Sequence, residues 1–519
     1  MFKKKLVTAL LLVLVMFLSA CTEGTNVDGK KENADGSSDS GSDGGDKGAL
    51  IIGFEADAST LMANHDVNYT TDTLIRNIYD PLIERDGKTG EFIPVLAEEW
   101  KNIDEKTWYL KLKEGVKFHN GADFNANSVK FSIDYILDEA NGSFYRSRWA
   151  NVDEVVVLSD YEIEIRTAVP FPSLIQRITE DLLIAEPGYV EEVGLDQASR
   201  EPVGTGAYTF VEWSRDNHLK LTAFEGYWQG KPAIEEVEFR IIPEFSARMS
   251  AFMSGEIHMF KNIPVDSVAQ FESNEVGEIS SSRINYLALS NLVDGPLKDL
   301  KVRQAINHAI DADELLETVL NGYGTRITGP LSQLNVDYAE TTAYSYDPDL
   351  AVQLIKEAGY NPEDITLTLD TPSGRYPMDS HIAQAIASQL QEIGITVNVQ
   401  VNEWGKHLEK IQNRETGDMY ILGWGPAFDA QSTIENLFTL NAPYSSFYQE
   451  DIEKKITETN QLFNQEERYA GYAELQQLLV DQAAWVPLWQ QADLYAISSS
   501  LKFSPRVDEK MNVFEMSWN

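Results

Sequence analysis

The chain has 519 residues, 43% of them hydrophobic, which is enough to bury several cores and too many for one small domain. Asp and Glu number 82 against 42 Lys and Arg, a net charge of -40 that repels phosphate backbones and excludes nucleic acid as a partner. A single cysteine excludes an internal disulfide, a CxxC redox centre and a cysteine-rich zinc site.

Met1 to Cys21 begin with Lys3, Lys4 and Lys5, continue through an apolar run, and end in Leu18-Ser19-Ala20-Cys21. The run from Leu6 to Ala20 is fifteen residues, short of the roughly twenty that span a bilayer, so it reads as a signal peptide over residues 1–20. The four residues ending at Cys21 resemble the lipobox of bacterial lipoproteins, which implies lipidation of Cys21, removal of residues 1–20 and anchoring at the outer face of the cell membrane. Cleavage removes three lysines, so the mature charge is expected at -43. That excess keeps a tethered body off an anionic membrane surface.

Residues 21–48 are rich in Gly, Ser and Asp, with SSDSGSDGGD at 37–46, and read as a linker with almost no apolar residue to bury. As a flexible coil this leash spans about 30 Å. The body beyond it alternates strands and helices. Trp108, Leu110 and Leu112 mark one face of a strand, and Val155–Leu158 with Tyr161–Arg166 predict a hairpin turning at Ser159-Asp160. A second hairpin is predicted from Tyr208–Trp213 and Leu219–Ala223, turning at Asp216-Asn217.

The later half has longer periodic segments. Asp347-Pro348 is an N-cap followed by proline at the first helical position, Ala351 and Ile355 lie on the apolar stripe, and Gly359 ends the helix. Strands around Leu367, Val399 and Ile421 alternate with helices around Ile386 and His407. This βαβαβ order predicts an open, mainly parallel α/β sheet, which binds ligands beyond the carboxyl ends of its strands. The segment after the last of these strands, Gly423-Trp424-Gly425-Pro426-Ala427-Phe428-Asp429, therefore becomes the candidate site. No catalytic motif competes with it. The seven histidines are at least 26 residues apart, and there is no GxSxG, GxxxxGK[ST] or strand-linked GxGxxG.

Four stretches resemble one family, in its order along the chain: LKLKEGVKFHNGADFNANSVKF at 110–131, PVGTGAY at 202–208, LKDLKVRQAINHAID at 297–311, and Tyr346-Asp347-Pro348 with LQEIGITV at 390–397. The family is the extracellular solute-binding proteins of peptide, nickel and opine ABC importers. The resemblance implies an α/β, two-lobed periplasmic-binding-protein-like clamshell with a subdomain inserted in the first lobe. The expected division is lobe I at 49–85, 200–281 and 490–519, the inserted subdomain at 86–199, and lobe II at 282–489. It implies a monomer without cofactor or enzymatic activity that captures ligand by hinge closure and presents it to permease subunits.

For ligand, the resemblance implies short peptides first, and nickel or another metal chelate or small carboxylate solute as the alternative. A surface hydrolase is a remote third. Oligopeptide binders of this family hold the peptide amine with an aspartate three residues after the loop tryptophan; here that position is Ala427. Either Asp429 takes the role through a different loop shape, or the ligand has no free amine. The same loop resembles the WGxPYDP loop of nickel-chelate binders, with Phe428 in place of tyrosine. Arg146 and Arg148 stand in about the region where those proteins hold carboxylates. The expected ligand-binding residues are thus Trp424, Phe428, Asp429, Arg146 and Arg148.

Overall fold

A computed structural model describes residues 48–66 and 69–519. The signal peptide expected at residues 1–20, Cys21 and the expected leash up to residue 47 lie outside the described residues. No helix among the described residues is long and apolar enough to cross a membrane.

The strands, in chain order, are β1 (Leu50–Phe54), β2 (Ile83–Arg85), β3 (Phe92–Pro94), β4 (Ala97–Asp104), β5 (Thr107–Leu112), β6 (Val152–Ser159) and β7 (Glu162–Thr167). They continue with β8 (Tyr208–Ser214), β9 (His218–Ala223), β10 (Glu236–Ile241), β11 (Met259–Lys261), β12 (Val276–Leu289) and β13 (Thr325–Arg326). Next come β14 (Thr366–Pro372), β15 (Thr396–Asn402), β16 (Met419–Trp424) and β17 (Trp485–Ile497), and two short strands, β18 (Leu501–Lys502) and β19 (Ser517–Trp518), pair with each other near the end of the chain. Eleven of them form one sheet in the order β15-β14-β16-β12-β17-β11-β1-β10-β9-β8, with β13 paired to β17.

The fold is a two-lobed α/β clamshell, and β12 and β17 are the strands that tie its halves together. Residues 276–280 of β12 pair with 492–496 of β17 beside the first lobe, whereas 284–288 pair with 485–490 in the second. A register break between Ser280 and Ile284 separates the two stretches. In the second lobe β14 runs parallel to β15 and β16, but β16 and β17 both pair antiparallel with β12. This half is therefore a mixed sheet rather than the mainly parallel one its helix–strand alternation predicts. The parallel rule governs strands joined by crossover helices, and β12 and β17 enter and leave the lobe without one.

Alternation along each strand sorts side chains between two cores. Leu287, Leu367, Leu369 and Ile421 meet Val302, Ile306, Ile355, Ile382 and Ile386 from helices on one face. Tyr286, Tyr420 and Leu422 meet Ile434, Leu437, Ile452 and Leu475 on the other. The helix predicted after Asp347 spans Pro348–Glu357, with the Asp347 carboxylate accepting the Leu350 N–H at 2.9 Å.

The inserted subdomain is an antiparallel sheet, β4-β5-β7-β6, covered by the helix Ala126–Leu137. Trp108, Leu110 and Leu112 of β5 are buried as their spacing predicts, and the β6–β7 and β8–β9 hairpins form. The helix Ala126–Leu137 starts with a capping box, Asn125 and Ser128 satisfying each other's end of the first turn. PVGTGAY packs backbone to backbone against the segment before β2. A Cβ on Gly204 would lie 2.2 Å from the Ile78 carbonyl oxygen, so only glycine fits there. His119 bridges this loop, taking the Gly204 N–H at Nδ1 (3.3 Å) and meeting the Gly206 carbonyl through Nε2 (2.9 Å).

Candidate functional site

The carboxyl ends of β14, β15 and β16 bring three segments together: the loop 373–378, Trp404 just after Glu403, and the loop 424–429. The first is held by one buried carboxylate. Asp379 accepts backbone N–H groups from Gly374 (3.2 Å), Arg375 (2.9 Å) and Tyr376 (3.2 Å), and from Ser380 (2.8 Å). Tyr376 then donates its hydroxyl to the Gly423 carbonyl at 3.1 Å, tying this loop to the end of β16.

Arg375 rises from that loop. Its guanidinium carbon lies 5.1 Å from the Trp404 ring centre and 5.5 Å from that of Tyr376. Its Nε is buried without a hydrogen-bond partner, and among the described residues no carboxylate comes within ion-pairing distance. In a chain with twice as many acids as bases, an arginine held by aromatic faces and left without an acid is a candidate partner for an anion from outside the chain. Trp424, the last residue of β16, is half-buried, its ring 5.5 Å from Tyr444 and its indole Nε1 also without a partner.

The loop after Trp424 is pressed onto the crossing strand. Gly425 has φ +136°, and a Cβ there would lie 2.8 Å from the Arg283 Cα. The Ala427 N–H donates to Ser282 Oγ at 3.0 Å. Beneath it lies a buried network of four charges. Lys261 pairs with Asp493 (3.0 Å) and Glu509 (2.8 Å), and Arg283 pairs with Glu509 (3.2 Å). Tyr69 donates its hydroxyl to the Glu509 carbonyl at 2.6 Å, and burial pushes that phenol up to about 12. Burial alone would raise Glu509, but Arg283 and Lys261 overcome it and hold the carboxyl at about 2. This network joins β11, β12, β17 and the C-terminal segment where the two lobes meet.

Phe428 and Asp429 face the inserted subdomain. The Phe428 ring lies 4.5 Å from the Arg85 guanidinium carbon, and Phe92 lies 4.5 Å from the same group, so one cation is clasped by rings from both sides. Arg85, 2% exposed, also donates to the Gly90 carbonyl (2.5 Å) and to Gln176. Ser173 Oγ donates to Gln431 Oε1 at 2.8 Å across the same seam. Asp429 caps the helix Ala430–Phe438, its Oδ1 accepting the Ser432 N–H at 2.7 Å, while its Oδ2 is buried without a partner. Burial, reinforced by the Asp429 charge, pushes the facing Glu180 up to about 7 against the pull of Arg177 and Arg85.

Of the residues the sequence singles out, Trp424, Phe428 and Asp429 thus share one loop between the lobes. Arg146 and Arg148 do not join them, because their cations are already engaged inside the subdomain. Arg146 donates to the Leu137 carbonyl (3.1 Å) and to Glu139 (3.4 Å). Arg148 pairs at 3.0 Å with the buried Asp181, which also accepts the Trp149 indole N–H. Sequence reasoning misses Arg375, Trp404, Arg85 and the Lys261–Glu509 network. Arg375 carries a usable signal, since Ser373-Gly374-Arg375 follows a strand of the same parallel set that points to Trp424.

A single sheet shared by two lobes, paired crossing strands and a ligand-ready edge on the second lobe define a solute-binding clamshell. The sequence profile described as bacterial extracellular solute-binding proteins, family 5 Middle, matches residues 91–445, and the chain belongs to this family. Its members are solute-binding components of ABC importers. The glutathione-binding protein GsiB of Pectobacterium atrosepticum is 30% identical over 380 residues, covering 70% of this chain and 72% of that protein. The Helicobacter pylori periplasmic binding protein DppA, solved with the peptide STSA, superposes with a TM-score of 0.78 at 25% identity, covering 91% of this chain and 98% of that one. NikZ from Campylobacter jejuni, solved with Ni(L-His), gives 0.78 at 21% identity over 90% and 99%.

Proposed function

We propose that this protein captures short peptides outside the cell by closing its lobes around them and delivers them to the permease of an ABC importer. Arg375 carries the reading. A guanidinium against Trp404 and Tyr376, with no acid in pairing distance among the described residues, suits a peptide's terminal carboxylate in a bidentate pair. The unpartnered Trp424 indole N–H is a donor for a peptide carbonyl, and the Trp404 and Trp424 rings offer apolar walls to side chains. The relatives agree in kind, one binding glutathione, a modified tripeptide, and one holding a tetrapeptide.

Closure follows from the two-sided construction. Phe428 and Gln431 from the second lobe meet Arg85 and Ser173 from the first, so ligand that contacts both sides favours the shut form. We place the changes of lobe at the breaks in β12 and β17, near 281–282 and 489–490, and the inserted subdomain at 86–199. In this reading the body is a non-enzymatic monomer tethered through lipidated Cys21 at the outer face of the cell membrane.

Calorimetry with a panel of di- to hexapeptides, glutathione and nickel–histidine tests the ligand class. Peptides or glutathione are expected to bind at micromolar or tighter affinity, without turnover. A silent peptide panel beside tight nickel–histidine binding would move the assignment to a metal chelate, and cleavage of any panel member would reveal a hydrolase.

A further inference from the structure

A cavity of about 320 Å³ lies between the inserted subdomain and the second lobe, away from Arg375. Its subdomain wall is aromatic, with Phe92, Trp100 and Trp108, and Tyr469 stands on the opposite side. Asp429 and Asp337 both line it and both are buried. Asp429, 5% exposed, spends one oxygen on the Ser432 N–H and leaves Oδ2 without a partner. A buried carboxylate oxygen without a donor is costly, and no ion pair within the described residues relieves it. Arg85 and Arg177 act on Asp429 through space without bonding it. Asp337 accepts the Ala430 N–H at 3.1 Å. The remaining charged lining group, Arg468, is turned to the Leu462 and Phe463 carbonyls at 3.0 and 3.2 Å.

We propose that this cavity is a binding site for an alkylammonium group, with its N–H donors on Asp429 Oδ2 and Asp337 and its methylene stem against Trp100, Trp108 and Phe92. The chemistry separates this guest from other cations. Calcium and magnesium ask for six or more oxygens and zinc for three or four protein ligands, and no group of three metal-ligating side chains occurs among the described residues. Aromatic faces, by contrast, cover an aliphatic stem and attract an ammonium. Because the lining comes from both sides of the cleft, occupancy also favours the shut form.

The ammonium comes either from a free amine or from a lysine side chain of a bound peptide, and only the second source rests on the peptide reading above. Two calorimetric arms distinguish them. In the first, pentane-1,5-diamine is titrated into the purified protein. In the second, Ala-Lys-Ala is compared with Ala-norleucine-Ala, which keeps the stem and lacks the amine. Asp429→Asn is the control, because asparagine still caps the helix while removing the charge. Saturable diamine binding that weakens at least tenfold in the variant supports a free amine. A preference of at least tenfold for the lysine peptide, falling within twofold in the variant, supports a side-chain amine. Absent diamine binding together with a lysine-to-norleucine ratio within twofold would overturn the proposal, as would a preference that Asp429→Asn leaves intact. Failure of all peptides to bind removes the peptide reading but leaves the diamine arm decisive.

Discussion

Arg375→Ala is expected to weaken peptide binding at least 30-fold while leaving the fold intact. Truncating one member of a desolvated charge pair costs about 2–5 kcal/mol, and each 1.4 kcal/mol is tenfold. The fold should tolerate the change because Asp379 holds this loop by its backbone N–H groups, which the substitution leaves in place. A peptide amidated at its C-terminus supplies the other half of the cycle. It should lose a similar factor against the native protein and nothing further against the variant, since the same pair is missing in each case. Calorimetry with the four combinations measures this. Additive losses would mean that Arg375 and the peptide carboxylate do not meet.

The second large effect concerns stability. Glu509 balances Lys261 and Arg283 inside the junction of the lobes, and Glu509→Ala leaves Arg283 buried without its acid while Lys261 keeps only Asp493. Breaking a buried pair in this way costs about 3–5 kcal/mol, so the thermal midpoint should fall clearly. The pH dependence has a fixed sign. Glu509 is held at about 2 in the fold against an ordinary value of 4.5, so its contribution is complete above 4.5 and is lost as pH falls toward 2. Denaturant titrations across that window should show a steeper acid loss in the native protein than in Glu509→Ala. Equal slopes would place the stabilising charge elsewhere.

Features set by neighbours along the chain are legible in the sequence alone. The Asp347 cap, the alternation of Trp108, Leu110 and Leu112, and the turn at Asp216 depend on a few adjacent residues, and each forms where its pattern puts it. The strand-end rule likewise reaches Trp424, Phe428 and Asp429, because it needs only the order of elements. What stays hidden depends on distant partners. Lys261 and Glu509 are 248 residues apart, and nothing local marks them as a pair. Arg146 and Arg148 look available because the sequence does not show that Glu139 and the buried Asp181 already take them. Arg375 escapes notice for the converse reason, since its lack of an acid emerges only when its surroundings are assembled. The sheet of the second lobe is mixed because β12 and β17 cross between lobes, a feature of topology rather than of helix–strand spacing.

The central claim, capture of short peptides, is tested most directly by mass spectrometry of ligand released by denaturing the protein as purified from its own expression host. The account predicts a set of short peptides with free terminal carboxylates, depleted in material prepared from Arg375→Ala. Recovery of a metal chelator or another non-peptide carboxylate in their place, undiminished in the variant, would contradict it.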